Sequence, residues 1–465
     1  MPVDQRQALS NDRPARGGPQ DLFYSARNTL DLPLMARGEG IYFWDDAGAR
    51  YIDVSSGAIC NNLGQGNERV LRAMYEQGRT LTFTYVRVTR HKPNAVLSDK
   101  VAALAGPGFE RCHFVSGGSE ANEMAIKFLR QYAVATGQAS RHKIIACLPS
   151  YHGGTLATMG ITGDLDYEAT YGPMAVFSPK VPAPLVYRRP NGTTPEEAAR
   201  QAAAALEAEI LRQGPESVLA FIFEPVGGLA TGANVPPDSY FAEIRRICDR
   251  HGVFLIYDEV MSACRTGSFL AAHHWPEGKP DIVVLAKGLG AGYVPLGAML
   301  APAAMVDRLA ELTGFNLAHT YNANPIVSAG AAAVVDEVVE RNLIPGAERL
   351  GAHLMRRLEA IQAASPIVGD VRGKGLLQAV EIVAHKDTKA MIPAEFMAAD
   401  RIRRLGLENG LLIYMRRTNG GRFGEWFMVS PPLTITEEQV DDMSDRLART
   451  LAAYVDELKR AGALN

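Results

Sequence analysis

The sequence predicts an α/β protein with a largely parallel sheet covered by helices on both faces. Three observations carry this: short apolar, β-branched runs; amphipathic helical patterns between them; and Gly/Ser-rich turns where one passes into the other. The candidate strands are Cys112–Val115, Lys143–Leu148, Leu219–Phe223, Phe254–Tyr257, Asp281–Leu285 and Leu296–Leu300.

Residues 1–20 are polar and contain Pro and Gly, which predicts a mobile N-terminal arm. Tyr42 to Val54, YFWDDAGARYIDV, reads as a hairpin around an Asp-Asp-Ala-Gly turn. In SEANEMAIKFLRQYA, Ala121, Met124, Ala125, Phe128, Leu129 and Tyr132 share one helical face. In TPEEAARQAAAALEAEILRQG, Thr194 and Glu197 form a capping box, Pro195 takes the first helical position and Gly214 follows the end. From about Ala329 long helices dominate, ending in one capped at Thr436. The expected organisation is a large domain over 61–328 and a smaller α+β domain formed by 21–60 together with 329–465.

With 47% apolar and 21% charged residues and a net charge of −3, no basic excess points to nucleic acid or an anionic membrane. A small-molecule ligand is the working expectation. The five cysteines are scattered with no CxxC pair, which suits a reducing cytosol better than a disulfide framework or a metal site. No apolar h-region opens the chain, and runs such as VLAFIF fall well short of the ~20 residues of a membrane helix. The expected location is cytoplasmic.

Four stretches fall at strand ends or helix starts, where open α/β sheets bind ligands. VSGGSEANEMAIK places Ser116–Ser119 before a helix, either as a phosphate-binding turn or as an ordinary capped one. SYHGGT places Tyr151 and His152 on a loop, where the tyrosine can stack on a planar ligand or simply pack, and the lone histidine reads as structural. In GVFLIYDEVMSACRTG, Asp258 ends an apolar strand, so its desolvated carboxylate asks for a cationic partner or a loop hydrogen bond. In IVVLAKGLGAGYVPLGAM, Lys287 ends another such strand among glycines. It reads either as a neutral amine able to form a Schiff base or as one half of a buried ion pair with Asp258 or Glu259.

In chain order, SGGSEANEMAIK, SYHGGT, FEPVGGLATG, CDRHGVFLIYDEV, PDIVVLAKGLGAGYVPLGA, HTYNANP and PPLTIT resemble the class III, or omega, aminotransferases, from about Asp21 to the C-terminal helix. The resemblance implies pyridoxal 5'-phosphate as cofactor and fold type I, with a mostly parallel seven-stranded sheet. It implies that Lys287 carries the cofactor as a Schiff base and moves the substrate proton, and that Asp258 pairs with the pyridine nitrogen. Val260 and Tyr151 would cover the two ring faces, and Gly118 and Ser119 would hold the phosphate. Thr320 would bind the phosphate of the neighbouring subunit, making a homodimer with shared sites the minimum unit, with a tetramer as a larger form. The chain departs from the family's DEVxxGxGRTG: DEVMSACRTG is one residue shorter and has Ala263 and Cys264.

Family members that use 2-oxoglutarate or ornithine carry an arginine before PPL, where this chain has Met428 and Val429. LLIYMRRTNGG instead sets Arg416 and Arg417 where omega-amine:pyruvate members have a mobile arginine, and the resemblance favours Arg416. Glu224 matches a family glutamate that neutralises the substrate arginine. Ile59, preceded by Ala58, stands where a pocket tryptophan is common. The expected reaction passes an amino group from an amine or beta/omega-amino acid donor to a keto-acid acceptor, pyruvate, by a ping-pong mechanism. The alternatives are a racemase, epimerase or decarboxylase of the same family. A nucleotide-binding α/β protein would need GxxxxGK[ST] or GxGxxG at a strand-to-helix junction, and neither stands there.

Overall fold

The computed structural model describes residues 32–315 and 317–464. The predicted mobile arm at 1–20 lies outside the described residues. Three strands open the described chain: β1 (Met35–Glu39), β2 (Tyr42–Asp45) and β3 (Arg50–Asp53). β2 and β3 are the predicted hairpin, antiparallel with Phe43 opposite Tyr51.

The large sheet holds β4 (Arg111–Val115), β5 (Lys143–Leu148), β6 (Lys180–Pro182), β7 (Val218–Phe223), β8 (Phe254–Asp258), β9 (Ile282–Leu285) and β10 (Gly297–Ala301). Their spatial order is β4-β10-β9-β8-β7-β5-β6. The run from β9 to β6 is parallel. β10 alone runs against both of its neighbours. All six predicted strands are present, with boundaries moved by no more than one residue. The seventh, β6, is a three-residue edge strand ending in Pro182, too short for a periodic signal.

Alternate residues of these strands feed two cores, one on each face. Ile144 and Ala146 of β5 pack with helix Gly118–Ala135 through Ala121, Met124, Ala125, Phe128 and Leu129. Ile145 and Cys147 point the other way, to the core that holds Leu206, Ile244 and Tyr257. Each fully buried side chain of Leu or Phe size contributes about 1.5–3 kcal/mol of transfer free energy. Helix Pro195–Gln213 starts as predicted: Thr194 Oγ1 accepts from Glu197 N at 3.2 Å, and Glu197 Oε2 accepts from Thr194 N at 2.8 Å. Helix Glu437–Arg460 carries the same reciprocal cap through Thr436 and Gln439. Among the described residues no helix is long and apolar enough to cross a membrane.

The remaining strands are β11 (Val368–Lys374), β12 (Leu377–Ile382), β13 (Leu411–Leu412), β14 (Tyr414–Arg417) and β15 (Glu425–Val429). β11-β12-β15-β14 form one antiparallel sheet, while β13 lies parallel to β3, pairing Leu411 with Ile52. Arg265 ties this region to the large sheet. Its buried guanidinium donates to the Ser430 and Pro431 carbonyls at 3.1 and 2.9 Å.

Candidate active site

The parallel strands deliver their C-terminal ends to one crevice. β8 ends on Asp258, Lys287 follows β9 by two residues, Glu224 follows β7 directly, and Tyr151 lies three residues past β5. Register places Asp258 opposite Val284 on the adjacent strand. A cavity of about 470 Å³ opens there, lined by Gly117, Gly118, Ser119, Tyr151, Glu224, Asp258, Val260, Lys287, Tyr414 and Arg416 among others.

Asp258 is 5% exposed. Its Oδ2 accepts from Asn122 Nδ2 at 2.8 Å and faces His152 Nδ1 at 2.9 Å, and its Oδ1 accepts from Val260 N at 3.1 Å. Neighbouring Glu259 is fully buried and accepts from the Ala271 and Ala272 amides and Ser262 Oγ. Burial pushes its carboxyl up to about 7 against those donors. These carboxylates therefore take partners other than Lys287. Burial holds the Lys287 amine down at about 8, while the charges of Asp258 and Glu224 work in the opposite direction. The lysine backbone sits at φ 41°, turning the side chain out of the strand direction.

Close backbone approach marks the other end of the cavity. A Cβ on Gly118 would lie 3.1 Å from Val260 Cγ2, and one on Gly153 would lie 2.6 Å from Ser119 Oγ. Gly117 caps helix Gly118–Ala135 without a side-chain hydrogen bond, leaving first-turn amides beside Ser119.

The aminotransferase class-III family model matches residues 24–451. The chain belongs to the class III aminotransferases. The enzyme is 34% identical over 439 residues to a leucine/methionine racemase of Thermococcus litoralis, covering 93% of each chain. It is 30% identical to a putrescine–pyruvate aminotransferase of Pseudomonas aeruginosa over 94% of this chain and 93% of that one. Its fold superposes on an omega transaminase of Pseudomonas jessenii, solved in complex with PMP, with a TM-score of 0.88. That pair is 29% identical over 96% of this chain and 97% of the other.

In this aminotransferase, strand alternation separates the two candidate arginines. Tyr414 and Arg416 reach the cavity. Arg417 points away and pairs at 2.9 Å with Glu425, its cross-strand neighbour on β15. Met428 and Val429 are fully buried in the core. Glu224 accepts from the Tyr151 and Gly228 amides at 3.1 and 3.0 Å. Burial raises its pKa, and Asp258 adds to the rise.

Two predicted residues lie elsewhere. Ile59 is 0% exposed in the main core, and Ala58 and Cys60 line the cavity instead. Positive φ values at Ser56, Gly57 and Ile59 twist this segment, so neither helical nor strand periodicity tells which side chain faces in. Thr320 is exposed on a turn and does not line the cavity of its own chain.

Sequence reasoning did not assign Asn122 and His152 as the residues that hold Asp258. Both stand in quoted motifs, but their partner is 136 and 106 positions away, and no local pattern encodes that pairing. Tyr167 and Tyr414, which line the cavity together with Tyr151 and Arg416, carry no such local signal either.

Proposed function

We propose that the enzyme moves an amino group from a primary amine or beta/omega-amino acid to a keto acid, with pyruvate as acceptor, by a ping-pong mechanism. The observation that carries this reading is the placement of Arg416 on the cavity wall while positions 428 and 429 are apolar core. A guanidinium on the wall suits the single carboxylate of a small keto acid. The putrescine–pyruvate relative supports the same pairing of donor and acceptor.

The residues present fit pyridoxal phosphate. Gly118 and Ser119 would hold the phosphate, Val260 and Tyr151 the ring faces, and Asp258 the ring nitrogen, with Lys287 as the attachment point. When bound, the cofactor supplies an electron sink for the substrate carbon that loses its proton. Asn122 and His152 hold the Asp258 carboxylate in place at the cavity wall. The Lys287 amine, neutral above a pKa of about 8, takes the proton from that carbon at Nζ and returns it. Arg416 orients a carboxylate, and Glu224 presents a buried carboxyl beside the donor. Thr320 serves the phosphate of a neighbouring subunit, so the working unit is a homodimer, with a tetramer as a larger form. The five unpaired cysteines support a cytoplasmic location.

A donor-by-acceptor panel tests the reading. Pyruvate is expected to outperform 2-oxoglutarate, and a strong preference for 2-oxoglutarate would overturn the acceptor assignment. The racemase relative favours a second reading. Incubation with a chiral donor and no keto acid separates the two. A transaminase stops after one amino group per site, whereas a racemase continues to interconvert the enantiomers.

A further inference from the structure

Arg416 already has a carboxylate partner in its own chain. Its Nη2 lies 2.5 Å from Asp164 Oδ2, with the arginine side chain 30% and the aspartate 4% exposed. No other hydrogen bond or ion pair of Arg416 is present among the described residues. Asp164, by contrast, is held independently of the arginine. Its Oδ1 accepts from the Asp166 and Tyr167 amides at 3.0 and 3.4 Å, capping helix Leu165–Tyr171. The next residue, Leu165, donates its amide to Asn419 Oδ1 at 2.7 Å, which ties this helix start to the turn after β14. One carboxylate oxygen thus does the capping, and the other faces the guanidinium from a fixed seat.

We propose that Asp164 is a specificity-determining positioning residue: an internal carboxylate that competes with substrate carboxylates for Arg416. With an apolar amine in the cavity, Asp164 neutralises the guanidinium and holds it against the wall, sparing the donor an unpaired charge. When a keto acid or amino acid enters, its carboxylate draws Arg416 away or shares it. The fixed carboxylate left behind sets the cost of that exchange. Asp164 therefore lowers carboxylate affinity so that one cavity accepts donors with and without a carboxylate. This rests on the reading of Arg416 as the carboxylate anchor.

The test uses Asp164→Asn and Asp164→Ser in the holoenzyme. Both side chains keep an oxygen that can cap the helix, and both lose the charge that pairs with Arg416. Propionate, an unreactive carboxylate, is titrated calorimetrically, and the KM values of pyruvate and of an apolar primary amine are measured in parallel. Both variants are expected to bind propionate roughly three- to tenfold more tightly. The KM of pyruvate is expected to fall and that of the amine to stay or rise. The gain should vanish when Arg416→Leu is added. If Arg416→Leu alone weakens propionate binding but neither Asp164 variant strengthens it, the role of Asp164 is overturned and the anchor stands. If Arg416→Leu leaves propionate binding unchanged, the anchor itself fails, and this proposal with it.

Discussion

His152 Nδ1 lies 2.9 Å from Asp258 Oδ2, and the imidazole is buried at 2% exposure. The tautomer that donates to this carboxylate oxygen is the one with its proton on Nδ1. His152→Leu should therefore strip one donor from a buried charge, a loss of about 1.5–3 kcal/mol. The expected outcome is roughly 10- to 100-fold weaker pyridoxal phosphate binding, read by titrating the cofactor-free protein. Asn122→Ala, which removes the other donor to the same oxygen, should act in the same direction. Unchanged affinity in both variants would show that the backbone amide of Val260 suffices to hold Asp258.

Lys287 gives the cofactor-free protein a pH signature. Its amine titrates near 8 when folded, against 10.5 in an exposed chain. Between those values the unfolded lysine is protonated and the folded one is not, so unfolding takes up a proton. Stability from this group therefore rises with pH across about 8 to 10.5 and is lost as pH falls through that window. Urea melts of the cofactor-free protein should show the rise, and Lys287→Met should flatten it. Cofactor recapture, which needs the neutral amine, should show a midpoint near pH 8.

Arg265, in the loop after β8, holds the Ser430 and Pro431 carbonyls just beyond β15. Arg265→Met removes the Pro431 carbonyl's donor and leaves the Ser430 carbonyl with Ser56 Oγ alone, at 2.7 Å, and should cost about 1–3 kcal/mol in urea unfolding. Arg265→Lys should recover only part of this, because both bonds come from Nη1 and a lysine stem sets its nitrogen at a different point. Equal stability of Arg265→Met and the parent would mean that the carbonyls find other donors.

Gly297 opens β10 directly against the turn that precedes helix Gly118–Ala135. A Cβ there would lie 2.3 Å from the Gly117 carbonyl oxygen, a backbone atom that cannot swing aside. Gly297→Ala should destabilise the fold by about 1–3 kcal/mol and weaken cofactor binding by shifting Gly117 and Gly118. Gly346→Ala meets open space within helix Leu343–Ala364 and should instead be neutral or stabilising by up to ~1 kcal/mol. Thermal melts of the pair would check the contrast.

The strands, the hairpin and the two capped helices were legible because each is encoded within a few residues of itself. β1, the three-residue β6 and β11 to β15 were not: a short edge strand carries no periodic signal of its own, and the later strands lie among long helices that dominate the pattern there. The choice between Arg416 and Arg417 turned on β14 being a strand, whose alternation sends one to the cavity and the other to Glu425. The direction of Ile59 was not legible for the opposite reason, because left-handed residues interrupt the periodicity that would have oriented it.

By itself the sequence determined the α/β class, the family resemblance, and the lysine and aspartate at the ends of two apolar strands. Those features depend on local periodicity, capping chemistry and the order of motifs along the chain. Only the tertiary structure decided that Asn122 and His152 grip Asp258, that Ala58 and Cys60 line the cavity, and that Asp164 faces Arg416. Those pairs are set by strand order and by where each strand ends. Residues more than a hundred positions apart meet only when the whole sheet is assembled.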